Sequence, residues 1–209
     1  MLIEKLTVSE KKADEFILQF DDGSDIKVGA GQIAEFNLYS GRELTKEEYL
    51  ALREGINRSL SKTRALRILG TRNLSAREVE RRLIAKGEPS ETARDTVEWL
   101  GNAGLVNDEE YAAGIVAYYS GKGYGAVRIR NELFSRGIPR ELWEGAFNNL
   151  KKPEEAVGLY LEKKLRGSTE KEDIKKAVNS LCSRGFSYEE AKDLVRRYIE
   201  NKEENIEEV

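Results

Sequence analysis

One five-residue pattern recurs three times along this chain at nearly equal distances. Residues 83–87 (LIAKG) return as residues 133–137 (LFSRG) and again as residues 181–185 (LCSRG). A period of roughly 50 residues indicates a helical unit present in three copies, each of which buries its apolar face partly against its neighbours. We therefore expect the functional residues to lie on a surface rather than in a pocket.

Each copy of the pattern ends a predicted amphipathic helix. Counted from the leucine of the pattern as position zero, apolar residues at −7, −4, 0 and +1 predict one buried helical stripe. The stripe comprises Ala76, Val79, Leu83 and Ile84; Ala126, Ile129, Leu133 and Phe134; and Ile174, Ala177, Leu181 and Cys182. Position −8 holds Ser75, Gly125 and Asp173, which suit a helix N-cap. Position +4 holds glycines, which can take the left-handed conformation that ends a helix.

Two further helices are predicted in every unit. The helix after the pattern carries apolar residues at +10, +14 and +17, namely Ala93, Val97 and Leu100; Trp143, Phe147 and Leu150; and Ala191, Val195 and Tyr198. The helix before it begins near residue 63, 107 or 153. We therefore predict three-helix repeats at residues 63–106, 107–152 and 153–201, followed by a frayed acidic tail at residues 202–209.

The N-terminal part of the chain has a different pattern. Alternating apolar residues in 16–20 and 26–28, separated by Asp21-Asp22-Gly23-Ser24, predict a β-hairpin, and residues 2–8 supply a third strand. Thr45 and Glu48 form a capping-box pair that starts a linking helix over residues 45–62. The predicted fold is mainly α: an elongated array of three tandem three-helix repeats, preceded by a small antiparallel sheet in residues 1–44 and this linking helix.

Composition excludes several classes of function. The 209 residues include no histidine and a single cysteine, Cys182, so an intramolecular disulfide and a histidine or multi-cysteine zinc site are excluded. We also expect no other metal and no cofactor. Because no stretch approaches the length of a membrane span and the N-terminus lacks a signal-peptide pattern, we expect a soluble, cytoplasmic protein. We also expect it to be a monomer. Cys182 has no histidine to activate it, so we interpret it as a structural thiol.

Two short motifs have a structural interpretation beside a chemical one. Residues 121–125 (GKGYG) precede a helix and are able to cradle an anion, but no phosphate-loop pattern surrounds them, so an interhelical turn is favoured. The carboxylates at residues 108–110 fit the acidic first turn of a helix better than an acid–base pair. We therefore assign no catalytic residue.

The basic side chains are the best candidates for contact with a partner. Net charge is −3, yet residues 61–152 carry 16 basic and 12 acidic side chains, whereas the flanking segments are acidic. The step of about 100° per residue places several arginines away from the buried stripe. The candidate partner-binding residues are Arg67, Arg72, Arg77, Arg81, Arg82, Lys122, Arg128 and Arg140. They are either solvated surface or a site for an anionic partner, because guanidinium groups suit carboxylates and phosphates.

Several of these motifs, in this order, resemble the RecX regulatory proteins. The matching residues are Ala65, Leu66, Leu69, Arg72, Ser75, Glu78, Val79, Leu83, Lys86 and Gly87; Asp108, Glu109, Tyr111 and Ala112; and Gly123 with Ile129, Glu132, Leu133, Arg136, Gly137 and Ile138. The resemblance covers roughly residues 60–200 and is looser in the third repeat. Most of these residues are caps and core positions, so they carry the fold rather than the partner contacts.

The resemblance implies a cytoplasmic bacterial protein of homologous recombination and DNA repair. It implies binding to the RecA recombinase filament on single-stranded DNA, with contact to the DNA directly or through the filament, and inhibition of its ATPase and strand exchange. Two alternatives remain open. One is an autonomous helical DNA-binding protein, which the sequence pI near 5.5 disfavours. The other is a helical-repeat scaffold for a different protein.

Overall fold

The chain is mainly helical, as the repeat predicts. The computed structural model describes residues 1–10, 14–70, 72–148 and 154–207, with side chains to residue 202. Within these ranges the chain forms three β-strands and ten α-helices. Two compact units are present, one of Met1–Gly70 with Leu83–Thr96 and the other of Thr71–Arg82 with Val97–Val209.

The N-terminal sheet confirms the predicted hairpin and its third strand. Strands β1 (Ile3–Val8), β2 (Glu15–Phe20) and β3 (Asp25–Gly29) pair antiparallel in the order β1-β2-β3. The turn between β2 and β3 places Gly23 at a φ of 79°. Glycine takes this left-handed conformation without steric cost. Residue alternation then buries Leu18 and Phe20 on the same face of β2.

Two helices complete the first part of the chain. The short helix α1 (Ala30–Glu35) was not predicted, and helix α2 runs without interruption from Lys46 to Leu69. The predicted capping box starts α2. Thr45 N–H donates to Glu48 Oε2 at 2.9 Å, and Glu48 N–H donates to Thr45 Oγ1 at 3.1 Å. Leu52 of α2 is fully buried in the core beneath the sheet.

Helix α2 covers both the predicted linking helix and the predicted first helix of the first repeat. It is 24 residues long and has no break at residue 62. No glycine or proline stands at that point to end the helix. Leu60 and Leu66 share the apolar spacing of this helix, but they are 55% and 45% exposed. An apolar spacing defines the face of a helix without fixing how far the neighbouring elements extend along it.

The remaining helices follow the predicted triplets. Their bounds are α3 Ala76–Ala85, α4 Ser90–Asn102, α5 Asp108–Ser120, α6 Ala126–Ser135, α7 Trp143–Asn148, α8 Glu154–Leu165, α9 Lys171–Ser183 and α10 Tyr188–Glu207, with a 3-10 turn at Arg140–Leu142. Helices α5, α6 and α7 share one apolar core, and helices α8, α9 and α10 share another. These cores confirm three-helix packing in the second and third repeats.

The middle helices α3, α6 and α9 carry the repeated pattern as predicted at most positions. Leu83, Leu133 and Leu181 are each fully buried, as the common column requires. The glycines at +4 have φ values of 91° for Gly87, 71° for Gly137 and 96° for Gly185. These values confirm the predicted left-handed residue that ends each middle helix.

Some predictions about the repeats were wrong. Position +1 was assigned to the core, yet Ile84 and Phe134 are 41% and 66% exposed. The reason is that one residue past the leucine lies about 100° around the helix from the stripe. Asp173 is not an N-cap, since α9 begins earlier, with Glu170 as its cap. Helix α10 continues to Glu207 instead of ending near residue 201. Leu150 and the boundary at residues 152 and 153 lie outside the described residues.

Candidate partner-binding surface

Two interhelical joints organise the surface on which most of the candidate basic residues lie. In one of them, the N-terminus of α6 meets the C-terminal turn of α9. Gly125 N–H donates to Arg184 O at 2.9 Å, and Val127 N–H donates to Gly185 O at 3.1 Å. The free amides that begin one helix are thus satisfied by the free carbonyls that follow another, and the two helix dipoles meet with opposite ends.

This α6–α9 joint requires glycine on both sides. A Cβ at residue 125 would lie 2.3 Å from the Gly185 carbonyl carbon, and a Cβ at residue 185 would lie 2.5 Å from the Arg128 nitrogen. Both distances are far below van der Waals contact with backbone atoms that cannot rotate away. The glycines at −8 and +4 therefore serve close backbone approach as well as helix capping.

The equivalent turn after α6 meets the N-terminus of α3. The Ser75 hydroxyl donates to Arg136 O, and the stem of Arg77 lies against Gly137, where a Cβ would come within 2.6 Å of Arg77 Cδ. Ser75 also caps its own helix. Glu78 N–H donates to Ser75 Oγ at 3.0 Å. The α3–α6 joint thus has a side-chain hydroxyl donor where the α6–α9 joint has backbone N–H donors.

Gly185 and Gly137 are each preceded by an arginine that the sequence analysis did not name as a site residue. Arg184 donates from Nε to Gly123 O at 3.0 Å, and its guanidinium carbon lies 4.3 Å from the Tyr124 ring centroid and 4.2 Å from that of Tyr160. Arg136 donates to the Tyr111 hydroxyl at 2.7 Å. The sequence could have indicated both arginines, because they occupy the same position, +3, of the repeated pattern.

The joints use two of the residues predicted to bind a partner. Arg77 contributes its aliphatic stem to the α3–α6 joint, and the backbone of Arg128 contacts Gly185 in the α6–α9 joint. Both side chains are nonetheless exposed, and Arg128 also pairs with Glu132 at 3.2 Å. The Arg77 side chain therefore has a structural role in addition to any role in binding, whereas Arg128 takes part in its joint through atoms that any non-glycine residue supplies.

Other predicted residues on α3 and before it differ in exposure. The sequence places Arg81 and Arg82 away from the buried stripe, and in the structure Arg81 is exposed whereas Arg82 is half-buried. A step of about 100° from the buried Leu83 leaves Arg82 at the edge of the buried stripe rather than opposite to it. Arg72 is exposed and lies 3.8 Å from Glu78.

Lys122 and Arg140 both lie beside aromatic rings. Lys122 Nζ donates to the Tyr118 hydroxyl and stands 4.2 Å from the centroid of that ring. The hydrogen bond to Tyr118 raises the pKa of Lys122, so this lysine carries its positive charge over a wide pH range. The guanidinium carbon of Arg140 is 5.9 Å from the centroid of the Trp143 ring. This distance is within the range of a cation–π contact. Arg67 is exposed on α2, in the other compact unit.

One carboxylate at the α3–α6 region is electrostatically perturbed. Asp108, the first residue of α5, accepts a hydrogen bond from Ala76 N–H at 2.8 Å. Burial raises the pKa of Asp108 and the negative charge of Glu78 adds to the effect, although the Ala76 hydrogen bond opposes it. This carboxylate serves as a capping group for α3 from a different helix.

The arrangement favours recognition by exposed side chains. Within the described ranges, no group of three or more cysteine, aspartate or glutamate side chains is placed to hold a metal ion, and no helix is long and apolar enough to cross a membrane. What the surface offers is cations, aromatic rings and hydrogen-bond donors fixed on short helices. The fold and this surface together define a helical-repeat protein made of three-helix domains.

Comparison with known proteins identifies the family. Residues 62–100 match the first three-helix domain of RecX, and residues 107–146 match its second three-helix domain. The regulatory protein RecX of Escherichia coli O1:K1 / APEC is 33% identical over 153 residues, which cover 66% of this chain and 90% of that relative. The chain belongs to the RecX family of regulatory proteins.

Other similarities extend along nearly the whole chain. The regulatory protein RecX of Clostridioides difficile (strain 630) is 27% identical over 204 residues, covering 95% of this chain and 94% of the relative. A crystal structure of regulatory protein RecX superposes with a TM-score of 0.74 at 20% identity, covering 96% of this chain and 98% of that one. RecX from Lactobacillus salivarius gives a TM-score of 0.63 at 22% identity, covering 70% and 98% of the two chains. These two structures support the fold.

Proposed function

We propose that this protein binds the RecA recombinase filament on single-stranded DNA and inhibits its ATPase, its strand exchange and its growth. The observation that carries the proposal is membership of the RecX family over both matched three-helix domains. We place the activity in the cytoplasm and assign it to a monomer that uses neither cofactor nor catalytic residue. Contact with DNA occurs directly or through the filament.

The distribution of charge supports an anionic partner. Residues 61–152, which include the two matched domains, carry 16 basic and 12 acidic side chains. Arg81 and Arg140 are exposed within them and take no part in the two joints. Arginine presents a planar fork of donors that suits both the carboxylates of a protein and the phosphates of DNA.

Inhibition by such a protein follows from binding alone. A bound protein shifts the filament toward an inactive state only if it binds that state more tightly than the active one. Shifting the filament from about 1% to about 99% inactive requires roughly 10⁴-fold tighter binding to the inactive state, about 5.5 kcal/mol. A surface that contacts more than one recombinase subunit supplies this difference without any catalytic group.

Charge reversal at Arg81 and Arg140 tests the proposal. The double variant Arg81→Glu/Arg140→Glu is expected to weaken inhibition of the DNA-dependent ATPase, because both side chains are exposed and absent from the joints. Arg77 is unsuitable for reversal, since its stem also packs on Gly137. The matched control is Lys164→Glu/Lys175→Glu, which reverses two exposed cations in the third repeat.

The measurement is the rate of ATP hydrolysis by RecA on single-stranded DNA against the concentration of each variant. We expect the wild type and the lysine control to inhibit at similar concentrations and the arginine variant to require a much higher one. Failure of the wild type to inhibit ATP hydrolysis or to bind the filament contradicts the proposed function. Equal inhibition by all three proteins contradicts the assignment of the arginines. A salt titration on naked single-stranded DNA separates autonomous DNA binding from filament binding, because DNA binding alone weakens steeply with salt.

A further inference from the structure

An apolar pair lies on the outer face of helix α6. Phe134 is 66% exposed and Val127 is 53% exposed, whereas Ile129 and Leu133 on the inner face are almost fully buried. Residues seven apart in a helix differ by about 20° in direction, so Phe134 and Val127 share one face, two turns apart. Together with Arg130 and Asn131 between them, they form what we call the α6 face.

One arginine, Arg130, lies between Val127 and Phe134 on the α6 face, beside Asn131. Arg130 is exposed, and its guanidinium carbon lies 5.1 Å from the Phe147 ring centroid. Residues 126–140 contain four arginines and one acidic residue, Glu132. An aromatic residue beside arginines is the composition that protein interfaces favour at their most important contacts.

Among the described residues, packing leaves most of the Phe134 side chain exposed. Its column in the pattern is occupied by Ile84 in the first repeat, which is 41% exposed, and by Cys182 in the third, which is half-buried against the core of that repeat. A single exposed apolar residue is ordinary, but a phenylalanine and a valine on one helical face within an arginine-rich segment are a candidate anchor.

We infer that the α6 face docks into an apolar pocket with an acidic rim on a partner protein. Phe134 enters the pocket, Val127 lies at its edge, and Arg130 faces the carboxylates of the rim. This inference rests on the proposed function, under which the partner is a subunit of the recombinase filament. It adds to that function an apolar anchor that the basic residues alone do not supply.

Charge and chemistry favour a protein over the other occupants. A second copy would bring Arg130 of one α6 face against Arg130 of the other, and this contact between like charges is unfavourable. Single-stranded DNA stacks its bases on aromatic rings and places its phosphates along rows of unpaired cations. On this helix, however, Val127 cannot stack on a base. Glu132 lies 3.2 Å from Arg128 and 3.8 Å from Arg136, and its negative carboxylate would repel a phosphate there.

Truncation of the anchor tests this inference. Phe134→Ala is expected to weaken binding to RecA filaments about 10- to 100-fold, in the range of central interface residues, and Val127→Ala several-fold. The matched control is Leu159→Ala on α8, since Leu159 is 59% exposed and equally apolar. Because all three side chains are mostly exposed, each variant is expected to keep the urea midpoint of the wild type.

Binding is measured by fluorescence anisotropy of labelled protein against assembled filaments, against naked single-stranded DNA, and against itself. Loss of filament binding by Phe134→Ala with retention by Leu159→Ala supports the inference. Equal binding by the two variants overturns it while leaving the proposed function intact, whereas failure of the wild type to bind filaments contradicts the proposed function. An equal loss on naked DNA, or the loss of a wild-type dimer, also overturns the inference, because it identifies DNA or a second copy as the occupant.

Discussion

Replacement of Gly185 by alanine is expected to open the α6–α9 joint. Gly185 has a φ of 96°. An L-residue is strained by roughly 1–2 kcal/mol in such a left-handed conformation. A Cβ there would also lie 2.5 Å from the Arg128 nitrogen and 2.7 Å from the Arg128 Cβ. Since backbone atoms cannot rotate away, the turn after α9 has to move back from the start of α6.

That movement breaks the two hydrogen bonds that Gly125 N–H and Val127 N–H donate across the joint. Each such bond contributes roughly 0.5–1.5 kcal/mol. Added to the backbone strain, the loss predicts a destabilisation of about 2–5 kcal/mol for Gly185→Ala. Gly87→Ala is the matched control, because Gly87 has the same role and a φ of 91°, but no atom lies within 4 Å of its added Cβ. Strain alone predicts about 1–2 kcal/mol for this control.

Two measurements test this difference. Urea unfolding of the wild type and both variants gives the change in stability, and native-state hydrogen exchange reports the amides of the joint individually. Protection of the Gly125 and Val127 amides is expected to fall in Gly185→Ala and to remain in Gly87→Ala. Equal destabilisation by the two substitutions, with unchanged protection at both amides, would refute the proposed coupling between α6 and α9.

Two further predictions concern the same part of the protein. Gly125→Ala separates steric conflict from backbone strain, because Gly125 has a φ of −83° but an added Cβ would lie 2.3 Å from the Gly185 carbonyl. We expect this variant to have a lower urea midpoint and to lose hydrogen-exchange protection at the Val127 amide. Unchanged values for both would contradict the close approach of the two backbones. Asp108→Asn tests the raised pKa of Asp108. The contribution of Asp108 to the free energy of unfolding is fully present below its unfolded pKa of about 3.8 and is lost as the pH rises through its folded pKa. Urea unfolding at a series of pH values should therefore show the stability of the variant rising relative to that of the wild type as the pH increases from about 4. Parallel pH profiles of the two proteins would exclude the effect.

The repeat made most of the fold predictable. The apolar columns at −4 and 0 and the glycines at +4 predicted the middle helices and their ends, because burial and left-handed backbone each restrict the residue type strongly. The hairpin and the capping box of Thr45 and Glu48 were equally well determined by local chemistry. Local rules suffice where the interaction that fixes the structure lies within one or two turns of chain.

Features fixed by distant contacts escaped the sequence. Position +1 was assigned to the core as part of the apolar stripe at −7, −4 and 0, yet Phe134 lies on the outer face of α6. Arg184 received no role because its partners, Gly123 O and the rings of Tyr124 and Tyr160, come from other helices and turns. No spacing along the chain shows that a helix N-terminus and a distant C-terminal turn meet.

The joints also divide the basic residues by function. A side chain that holds two helices together is constrained in its conformation, so its loss changes stability as well as binding, and a single mutation cannot separate the two effects. Arg77 belongs to this group through its packing on Gly137, whereas Arg128 contacts Gly185 through backbone and Cβ atoms that any non-glycine residue supplies. Arg81 and Arg140 are free of the joints, and changes there should alter partner binding while leaving the urea midpoint in place. A substitution at either residue that lowered stability and binding in proportion would show that the division is wrong.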